Sequence, residues 1–138
     1  MSEDRTRTYI DKPSLIYIQD RKLLMARSVG QELFYIPGGK REGDETAFAA
    51  LIRETKEELV VDLIPESLKE LFTIEAPAHD KPEWVFVRFT CIAADIKGEP
   101  VASSEIEELR FLNSNDYSRT PEAGVLILQE LQKLDLID

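Results

Sequence analysis

The sequence is poor in the residues that build disulfide scaffolds and soft metal sites. Cys91 is the only cysteine and His79 the only histidine among 138 residues. A single cysteine cannot form an intrachain disulfide, and it cannot supply a cysteine-rich metal site. We expect Cys91 to fill space on a strand and His79 to lie in a loop. These absences exclude a disulfide framework and a structural zinc cluster.

The chain also lacks a long apolar segment. No run approaches the roughly 20 residues that a membrane-spanning helix needs. The first five residues, MSEDR, are polar and do not resemble a secretory signal. The sequence therefore predicts a soluble protein of the cytoplasm with no membrane partner.

Positive charge is scarce relative to negative charge. Seventeen Lys and Arg residues stand against 27 Asp and Glu residues, for a formal net charge of -10. This charge would repel a polyanionic nucleic acid unless basic residues were clustered, and the sequence contains no such cluster. If the substrate is itself a phosphate compound, bound divalent cations must offset part of the repulsion. A nucleic-acid polymer is therefore disfavoured as a partner, and a metal requirement is physically sensible.

Apolar residues are abundant enough for a packed core. They make up 43% of the chain, and we expect one domain spanning residues 1–138. The periodicity predicts a β-hairpin of 14–19 with 22–27, strands at 33–36, 70–74, 84–92 and 106–112, and helices at 46–59 and 121–134. Hairpins combined with helices indicate a mixed β-sheet covered by helices on both faces, which is an α/β fold.

The helix predicted at 46–59 carries two separate stripes. At about 100° per residue, its apolar stripe consists of Phe48, Leu51, Ile52, Thr55 and Leu59, and its carboxylate stripe of Glu54, Glu57 and Glu58. Like charges at these spacings repel each other by about 0.2–0.5 kcal/mol per pair. Mg²⁺ would compensate the repulsion, because it prefers hard oxygen ligands. The alternative interpretation is a solvated acidic helix face.

The segment from 38 to 61, GGKREGDETAFAALIRETKEELVV, resembles the signature of the Nudix hydrolase family. That signature reads Gly, five residues, Glu, seven residues, Arg-Glu, an aliphatic residue, any residue, Glu-Glu, any residue, Gly and an aliphatic residue. It is matched by Gly39, Glu45, Arg53, Glu54, Glu57, Glu58 and Val61. Such spacing rarely arises by chance. The resemblance implies a Nudix-type α/β/α sandwich with a mixed β-sheet between helices.

Two positions depart from the signature. Thr55 occupies the first aliphatic position, where its hydroxyl can bond to a carbonyl one turn earlier in the helix. Val60 replaces the late glycine. A β-branched residue disfavours the left-handed conformation that glycine allows at a helix end. We therefore expect the helix to end differently from the usual family geometry.

The resemblance implies metal-dependent hydrolysis of a phosphoanhydride bond by water. In that case Glu54, Glu57 and Glu58, with the carbonyl of Gly39, hold Mg²⁺, with Mn²⁺ as an alternative. Glu54 or Glu57 lies close to the activated water. Arg53 orients the carboxylates, and Glu45 orients the preceding loop. Members of the family also recruit a glutamate from outside the signature, and Glu105 is the candidate in this chain.

The substrate implied by the resemblance is a small nucleotide-like molecule such as a nucleoside triphosphate. Arg27 matches a position where family members often carry a phosphate-binding arginine, and Lys40 could assist it. Tyr35 is the candidate for stacking a base, with Phe34 and Trp84 as further aromatic candidates. Ordinary surface and core roles remain open for all of these residues. A homodimer is compatible with the resemblance.

Three alternatives stay open at this point. The chain could be a nucleotide-binding sensor that has kept the fold and lost turnover, because fold alone does not fix function. An isoprenoid diphosphate isomerase on the related fold would need Cys91 as a reactive group. Removal of a 5′-end or cap from RNA is disfavoured by the net charge.

Overall fold

The computed structural model describes residues 6–79 and 81–138. The strands are β1 (Thr8–Ile16), β2 (Ile18–Gln19), β3 (Lys22–Ser28), β4 (Asp62–Leu63), β5 (Lys69–Pro77), β6 (Val85–Ala93), β7 (Ile96–Lys97) and β8 (Ile106–Leu112), and the helices are α1 (Ala47–Leu59) and α2 (Glu122–Lys133). Two short 3-10 helices cover Pro65–Ser67 and Ser114–Arg119. In the described ranges, each helix is too short or too polar to cross a bilayer.

The strands form a mixed arrangement. β1 pairs in parallel with β6, and β6 pairs antiparallel with β5. β3 pairs antiparallel with both β2 and β8. An isolated bridge between Ser14 and Gly38 ties β1 to the segment that precedes α1. The prediction of a mixed sheet is therefore confirmed.

Adjacent residues of one strand contribute to two separate hydrophobic cores. Leu15 and Leu24 belong to the core that packs under α1, whereas Ile16, Leu23 and Met25 belong to the core that packs under α2. Successive side chains of a strand point to opposite faces of the sheet. The two helices therefore cover opposite faces, and the predicted α/β/α sandwich is confirmed.

The first strand is longer than the sequence indicated, because Pro13 does not end it. β1 begins at Thr8 and continues through Pro13, although the hairpin was predicted to start at 14. The carbonyl of Pro13 accepts a hydrogen bond from Gly39, on the side of the strand away from β6. Since the N–H and C=O of one residue point to the same side of a strand, the N–H that proline lacks is not needed for pairing with β6.

The hairpin predicted for 14–19 with 22–27 forms only in part, and the strand predicted at 33–36 does not form. Residues 18–19 pair with 22–23, whereas 14–16 belong to β1 and pair with β6. β2 and β3 meet at a turn in which Asp20 and Arg21 both have positive φ, at 53° and 61°. This is the pattern of a two-residue hairpin turn. Among the described residues, the segment 33–36 joins the sheet through an isolated bridge between Ala26 and Tyr35, and Phe34 donates to the carbonyl of Arg119. It is therefore extended chain that leads into the Gly38–Gly39 loop.

Helix α1 agrees with the prediction in position and differs from it in which face is buried. Thr46 caps its start, since its side chain accepts a hydrogen bond from the N–H of Ala49 at 3.1 Å. Thr55 is buried and donates to the carbonyl of Leu51 at 2.9 Å, as expected. Phe48 was assigned to the buried stripe but is 39% exposed, and Ala50 is buried instead.

The end of α1 contradicts the expectation for Val60. Val60 adopts the left-handed conformation, with φ 57° and ψ 41°, and its N–H bonds to the carbonyl of Lys56. The carbonyls of Glu58 and Leu59 accept hydrogen bonds from Ser103 and Val101. These tertiary bonds and the burial of the flanking Leu59 hold the usual helix exit against the local preference of valine.

This strained position predicts that Val60→Gly stabilises the protein. A non-glycine residue in the left-handed region costs about 1–2 kcal/mol, which glycine would avoid. Glycine also has greater freedom in the unfolded chain, and this offsets about 0.5–1 kcal/mol of the gain. Val60 is 49% exposed, so little packing is lost. We expect the free energy of unfolding, measured in urea, to rise by about 0.5–1 kcal/mol.

Val29→Gly is the matched control, because Val29 is also exposed but its backbone does not have a positive φ. It should be destabilised by about 0.5–1 kcal/mol. An equal loss of stability in both variants would show that Val60 is not strained.

Candidate active site

The loop before α1 lies directly against β1. The N–H of Leu15 donates to the carbonyl of Pro37 at 2.8 Å, and the N–H of Gly39 donates to the carbonyl of Pro13 at 3.3 Å. Gly38 has φ +142°, and a Cβ at this position would lie 2.2 Å from the carbonyl oxygen of Pro13. Glycine is required here by both conformation and space. The loop is therefore fixed on the sheet.

Two glutamates of α1 meet this loop. Glu58 Oε1 accepts a hydrogen bond from the N–H of Gly38 at 3.2 Å. A Cβ on Gly39 would lie only 2.3–2.6 Å from the carboxylate atoms of Glu54. Since these residues are one turn apart on the helix, their side chains point to the same side. The signature thus brings Gly39, Glu54 and Glu58 together.

Arg53 organises the remaining acidic residues of the signature. Its guanidinium donates to both oxygens of Glu45, at 2.8 and 3.0 Å, and to Glu54 Oε2 at 2.9 Å. It also donates to the carbonyl of Lys40 at 3.0 Å and lies 3.5 Å from Glu57 Oε1. Glu45 in turn accepts from the N–H of Glu42. Arg53 and Glu45 therefore connect the loop to the helix.

We predict that Glu45→Gln weakens metal-dependent activity by about 10–100-fold, as is usual for residues that orient metal ligands. An amide cannot accept both hydrogen bonds from Arg53, so Glu54 loses its fixed partner. Initial rates at subsaturating Mg²⁺ would measure this effect. Glu42→Gln is the control, because Glu42 is exposed and 3.7 Å from Arg53. Equal rates in the two variants would contradict a positioning role for Glu45.

The interaction of Glu45 with Arg53 makes the stability of the fold depend on pH. Arg53, followed by the N–H of Glu42, lowers the pKa of Glu45 from 4.5 to about 2. A carboxyl group whose pKa is lower in the folded state stabilises the fold above its unfolded pKa. This contribution is therefore complete above pH 4.5 and is lost as the pH falls toward 2.

Negative charge accumulates around Glu58. The pKa of Glu58 is raised to about 7, chiefly by burial and also by the carboxylates of Glu54 and Glu105, although the N–H of Gly38 and the charge of Lys12 act in the opposite direction. Glu105, the glutamate predicted to act from outside the signature, is therefore close enough to Glu58 to affect its ionisation.

The chemistry of these groups fits a divalent cation. The candidate donors are hard carboxylate and carbonyl oxygens, which Mg²⁺ and Mn²⁺ accept. The missing side chain of Gly39 leaves its backbone against Glu54. Among residues 6–79 and 81–138, no three acidic, His or Cys side chains already converge as ligands. Arg53 contacts Glu54 and Glu57, and Glu58 contacts Gly38, so metal binding would require these side chains to reorient.

Lys12 is a site residue that the sequence did not reveal. It lies on β1 and lines a small cavity together with Gly38, Tyr35 and Glu58. Burial lowers the pKa of Lys12, and the carboxylates of Glu58 and Glu54 counteract this effect. The only sequence signal for Lys12 was a charged residue three positions before the apolar run that begins at Leu15.

A larger cavity of about 370 Å³ adjoins this region on the α2 side of the sheet. Its wall is formed by Lys12, Tyr35, Ile36, Pro77, Ala78, His79, Val87, Phe89, Thr120, Pro121, Glu122, Ala123 and Gly124. Tyr35 and His79 meet edge to face, with ring centroids 6.3 Å apart. The hydroxyl of Thr120 is buried without a hydrogen-bond partner in the described part of the chain. The cavity combines apolar walls with a few polar groups.

The other residues predicted to bind the substrate lie in different places, and not all of them line the cavities. Tyr35 lines both cavities. Lys40 is exposed at an open groove beside the loop. Arg27 lines neither cavity and pairs with Glu107 and Glu108, each at 3.0 Å.

The remaining aromatic candidates and the cysteine also have defined positions. Phe34 is buried in the core under α2, and Trp84 is 37% exposed. Cys91 is fully buried, and burial raises the pKa of its thiol to about 12. It therefore fills space on β6, as expected, and lacks the accessible thiol that the isomerase alternative requires.

Comparisons with known proteins agree with this geometry. A family model described as the NUDIX domain matches residues 13–130. The uncharacterized Nudix hydrolase YvcI of Bacillus subtilis (strain 168) is 32% identical over 119 residues, which cover 84% of this chain and 74% of that protein.

Solved structures share the fold. The E. coli ORF135 protein matches with a TM-score of 0.73 and 23% identity, over 94% of this chain and 92% of that one. A bifunctional NMN adenylyltransferase/ADP ribose pyrophosphatase from Francisella tularensis, complexed with AMP and a Mn ion, matches with a TM-score of 0.64 and 21% identity. That match covers 93% of this chain and 42% of the other. The signature residues meet at one loop, and the NUDIX match spans most of the chain. The chain therefore belongs to the Nudix hydrolase family and is a pyrophosphohydrolase.

Proposed function

We propose that this enzyme hydrolyses a phosphoanhydride bond in a small nucleoside-diphosphate-linked substrate, such as a nucleoside triphosphate, with Mg²⁺ as its cofactor and Mn²⁺ as an alternative. The observation that carries the proposal is the position of Glu54 and Glu58 at the Gly38–Gly39 loop, next to a cavity of about 370 Å³. That volume is within the range of small-molecule sites.

The cation would be held by Glu54, Glu57 and Glu58 together with the carbonyl of Gly39. When bound, it supplies neutralisation of the phosphate charge and makes a water molecule more acidic. The structure of Francisella tularensis that contains AMP and a Mn ion shares this fold, which supports a nucleotide and a divalent cation as the ligands. The net charge of -10 makes such neutralisation necessary for an anionic substrate.

The chain's own residues then have separate roles. Arg53, which contacts Glu54, Glu57 and Glu45, holds Glu54 and Glu57 beside the loop, from where they turn toward the cation. Glu105, which accepts a hydrogen bond from the hydroxyl of Ser104 at 3.0 Å, receives the proton of the attacking water. The water oxygen forms the new bond to phosphorus, the bridging P–O bond of the anhydride breaks, and the leaving group takes the bridging oxygen and departs as an anion, which is pyrophosphate or a nucleoside monophosphate when the substrate is a nucleoside triphosphate.

The cavity beside Tyr35 would hold the nucleoside part of the substrate. Tyr35 and Phe89 give it flat apolar walls on which a base can pack. Lys40, exposed at the loop, is placed to attract the outer phosphates. Arg27 can contact a phosphate only if it exchanges Glu107 and Glu108 for it, so its contribution depends on that rearrangement.

A panel assay tests the proposal. The purified protein is incubated with nucleoside triphosphates, dinucleoside polyphosphates, nucleotide sugars and nicotinamide or flavin dinucleotides, each with Mg²⁺, with Mn²⁺ and with chelator. We expect metal-dependent cleavage of at least one compound, with products identified by chromatography. A variant in which the proposed metal-binding glutamates are replaced, purified in parallel, measures the background hydrolysis by contaminating phosphatases. Nucleotide binding without any turnover would refute the proposal and favour a nucleotide-binding sensor.

A further inference from the structure

Lys12 occupies a position between the carboxylates and the larger cavity. It lines the small cavity that contains Glu58 and also the cavity that contains Tyr35 and His79. Its Nζ lies 5.7 Å from the centroid of the Phe89 ring, which is part of the apolar wall. A molecule that extends from the nucleoside cavity to the carboxylates must therefore pass the ammonium group of Lys12.

The backbone at Lys12 is held firmly. Its carbonyl accepts a hydrogen bond from the hydroxyl of Ser14 at 2.9 Å, and β1 pairs with β6 along its whole length. The next residue, Pro13, accepts from the N–H of Gly39. Lys12 is therefore fixed relative to the loop that Glu54 and Glu58 contact.

The ammonium is attracted to the carboxylates without being paired to one. Glu58 and Glu54 both act on Lys12 through their charges. Arg53 forms ion pairs with several of these carboxylates. Lys12, in contrast, forms no ion pair within residues 6–79 and 81–138. A partly buried ammonium without a close carboxylate retains hydrogen-bond donors for another anion.

We propose that Lys12 is a substrate-binding residue that holds the phosphate joined directly to the nucleoside. The proposal rests on the proposed function and adds to it a residue that binds the substrate between the two cavities. Lys12 then distinguishes a nucleotide from the bare nucleoside, while the cavity recognises the nucleoside. Because Lys12 would hold this phosphate between the cavity and the carboxylates, it would determine which P–O bond of the substrate lies at the metal site.

A structural role for Lys12 makes a different prediction. If its charge serves only to offset Glu58 and Glu54, its removal should tighten the binding of a divalent cation and leave the intrinsic affinity for phosphate unchanged. The test must therefore separate nucleotide binding from metal binding.

The experiment compares wild type with Lys12→Met, Lys12→Arg and the control Lys69→Met, in which an exposed lysine at the start of β5 is changed. Calorimetry measures binding of ATP, GTP, CTP and UTP and of the corresponding nucleosides, with Ca²⁺ in place of Mg²⁺ to prevent turnover. Affinity of each protein for Mn²⁺ is measured separately by electron paramagnetic resonance. Thermal unfolding confirms that the variants are folded.

We expect Lys12→Met to weaken binding of the best-bound triphosphate by about 10–100-fold, which is the usual effect of losing a hydrogen bond to a charged group. Nucleoside affinity should not change, and Lys12→Arg should restore most of the loss. If Lys12→Met changes only Mn²⁺ affinity, or if wild type binds no triphosphate, the proposal is overturned. Failure of the proposed function is a distinct result, namely triphosphate binding without turnover when Mg²⁺ is present.

Discussion

Glu57→Gln is expected to reduce the kcat/KM of metal-dependent hydrolysis by roughly 100-fold or more, because it removes a proposed metal ligand rather than one of its supports. Glu57 lies on the same stripe of α1 as Glu54 and Glu58, and its side chain is 59% exposed. Within the described part of the chain, Glu57 approaches Arg53 at 3.5 Å. An exposed pair of this kind contributes little to stability. The loss should therefore appear in activity, with the melting temperature almost unchanged.

The control for this variant is Glu70→Gln, which removes an exposed carboxylate on β5, away from the loop. It changes the net charge of the protein by the same amount and should leave the hydrolysis rate unchanged. If Glu57→Gln retained the wild-type rate with Mg²⁺ at saturation, Glu57 would not be a ligand. If both variants lost activity equally, the effect would come from overall charge.

Gly38→Ala is expected to destabilise the protein by about 3 kcal/mol or more, which combines a backbone cost with an overpacking cost. Its φ of +142° is a conformation that alanine rarely adopts, and the added Cβ would lie 2.2 Å from the carbonyl oxygen of Pro13. Neither the loop nor β1 can move freely, because hydrogen bonds join them on both sides of Gly38. For 138 residues the melting temperature should fall by about 10 °C.

Gly43→Ala separates the two costs. Gly43 has φ +54°, but an added Cβ there would meet no atom within 4 Å. This variant should lose only about 1 kcal/mol, the cost of placing an L-residue in the left-handed region. Urea unfolding of both variants measures the difference. Equal losses would mean that the close approach of Pro13 to Gly38 is not a steric constraint.

Features that depend on local spacing were predictable from the sequence. The helical period placed Glu54 and Glu58 on one side of α1, and the fixed spacing of the signature placed Gly39 before them; the structure brings these three residues together. The sequence left Asp44 and Thr46 as alternative caps for the helix predicted at 46–59, and the structure shows Thr46 accepting a hydrogen bond from the N–H of Ala49. Strand β8 also begins and ends as predicted, since it is bounded by polar residues on both sides.

Features that depend on distant partners were not predictable. The first strand was predicted to start at 14, and the hydrogen bond from Gly39 to Pro13, which lies inside β1, is not visible in the local sequence. The role of Lys12 at the cavity was missed for the same reason. Val60 was expected to avoid the left-handed conformation, but hydrogen bonds from Val101 and Ser103 to the end of α1 hold it there. In each case a tertiary contact outweighs a local preference.

Mn²⁺ binding to chelator-treated protein, measured from the electron paramagnetic resonance signal of the free ion, tests whether the glutamates of α1 hold the cation. We expect wild type and Glu70→Gln to bind Mn²⁺ with similar affinity, and the double variant Glu54→Gln, Glu57→Gln to bind at least about 10-fold more weakly. Equal affinity in all three proteins would contradict the claim that the glutamates of α1 hold the catalytic cation.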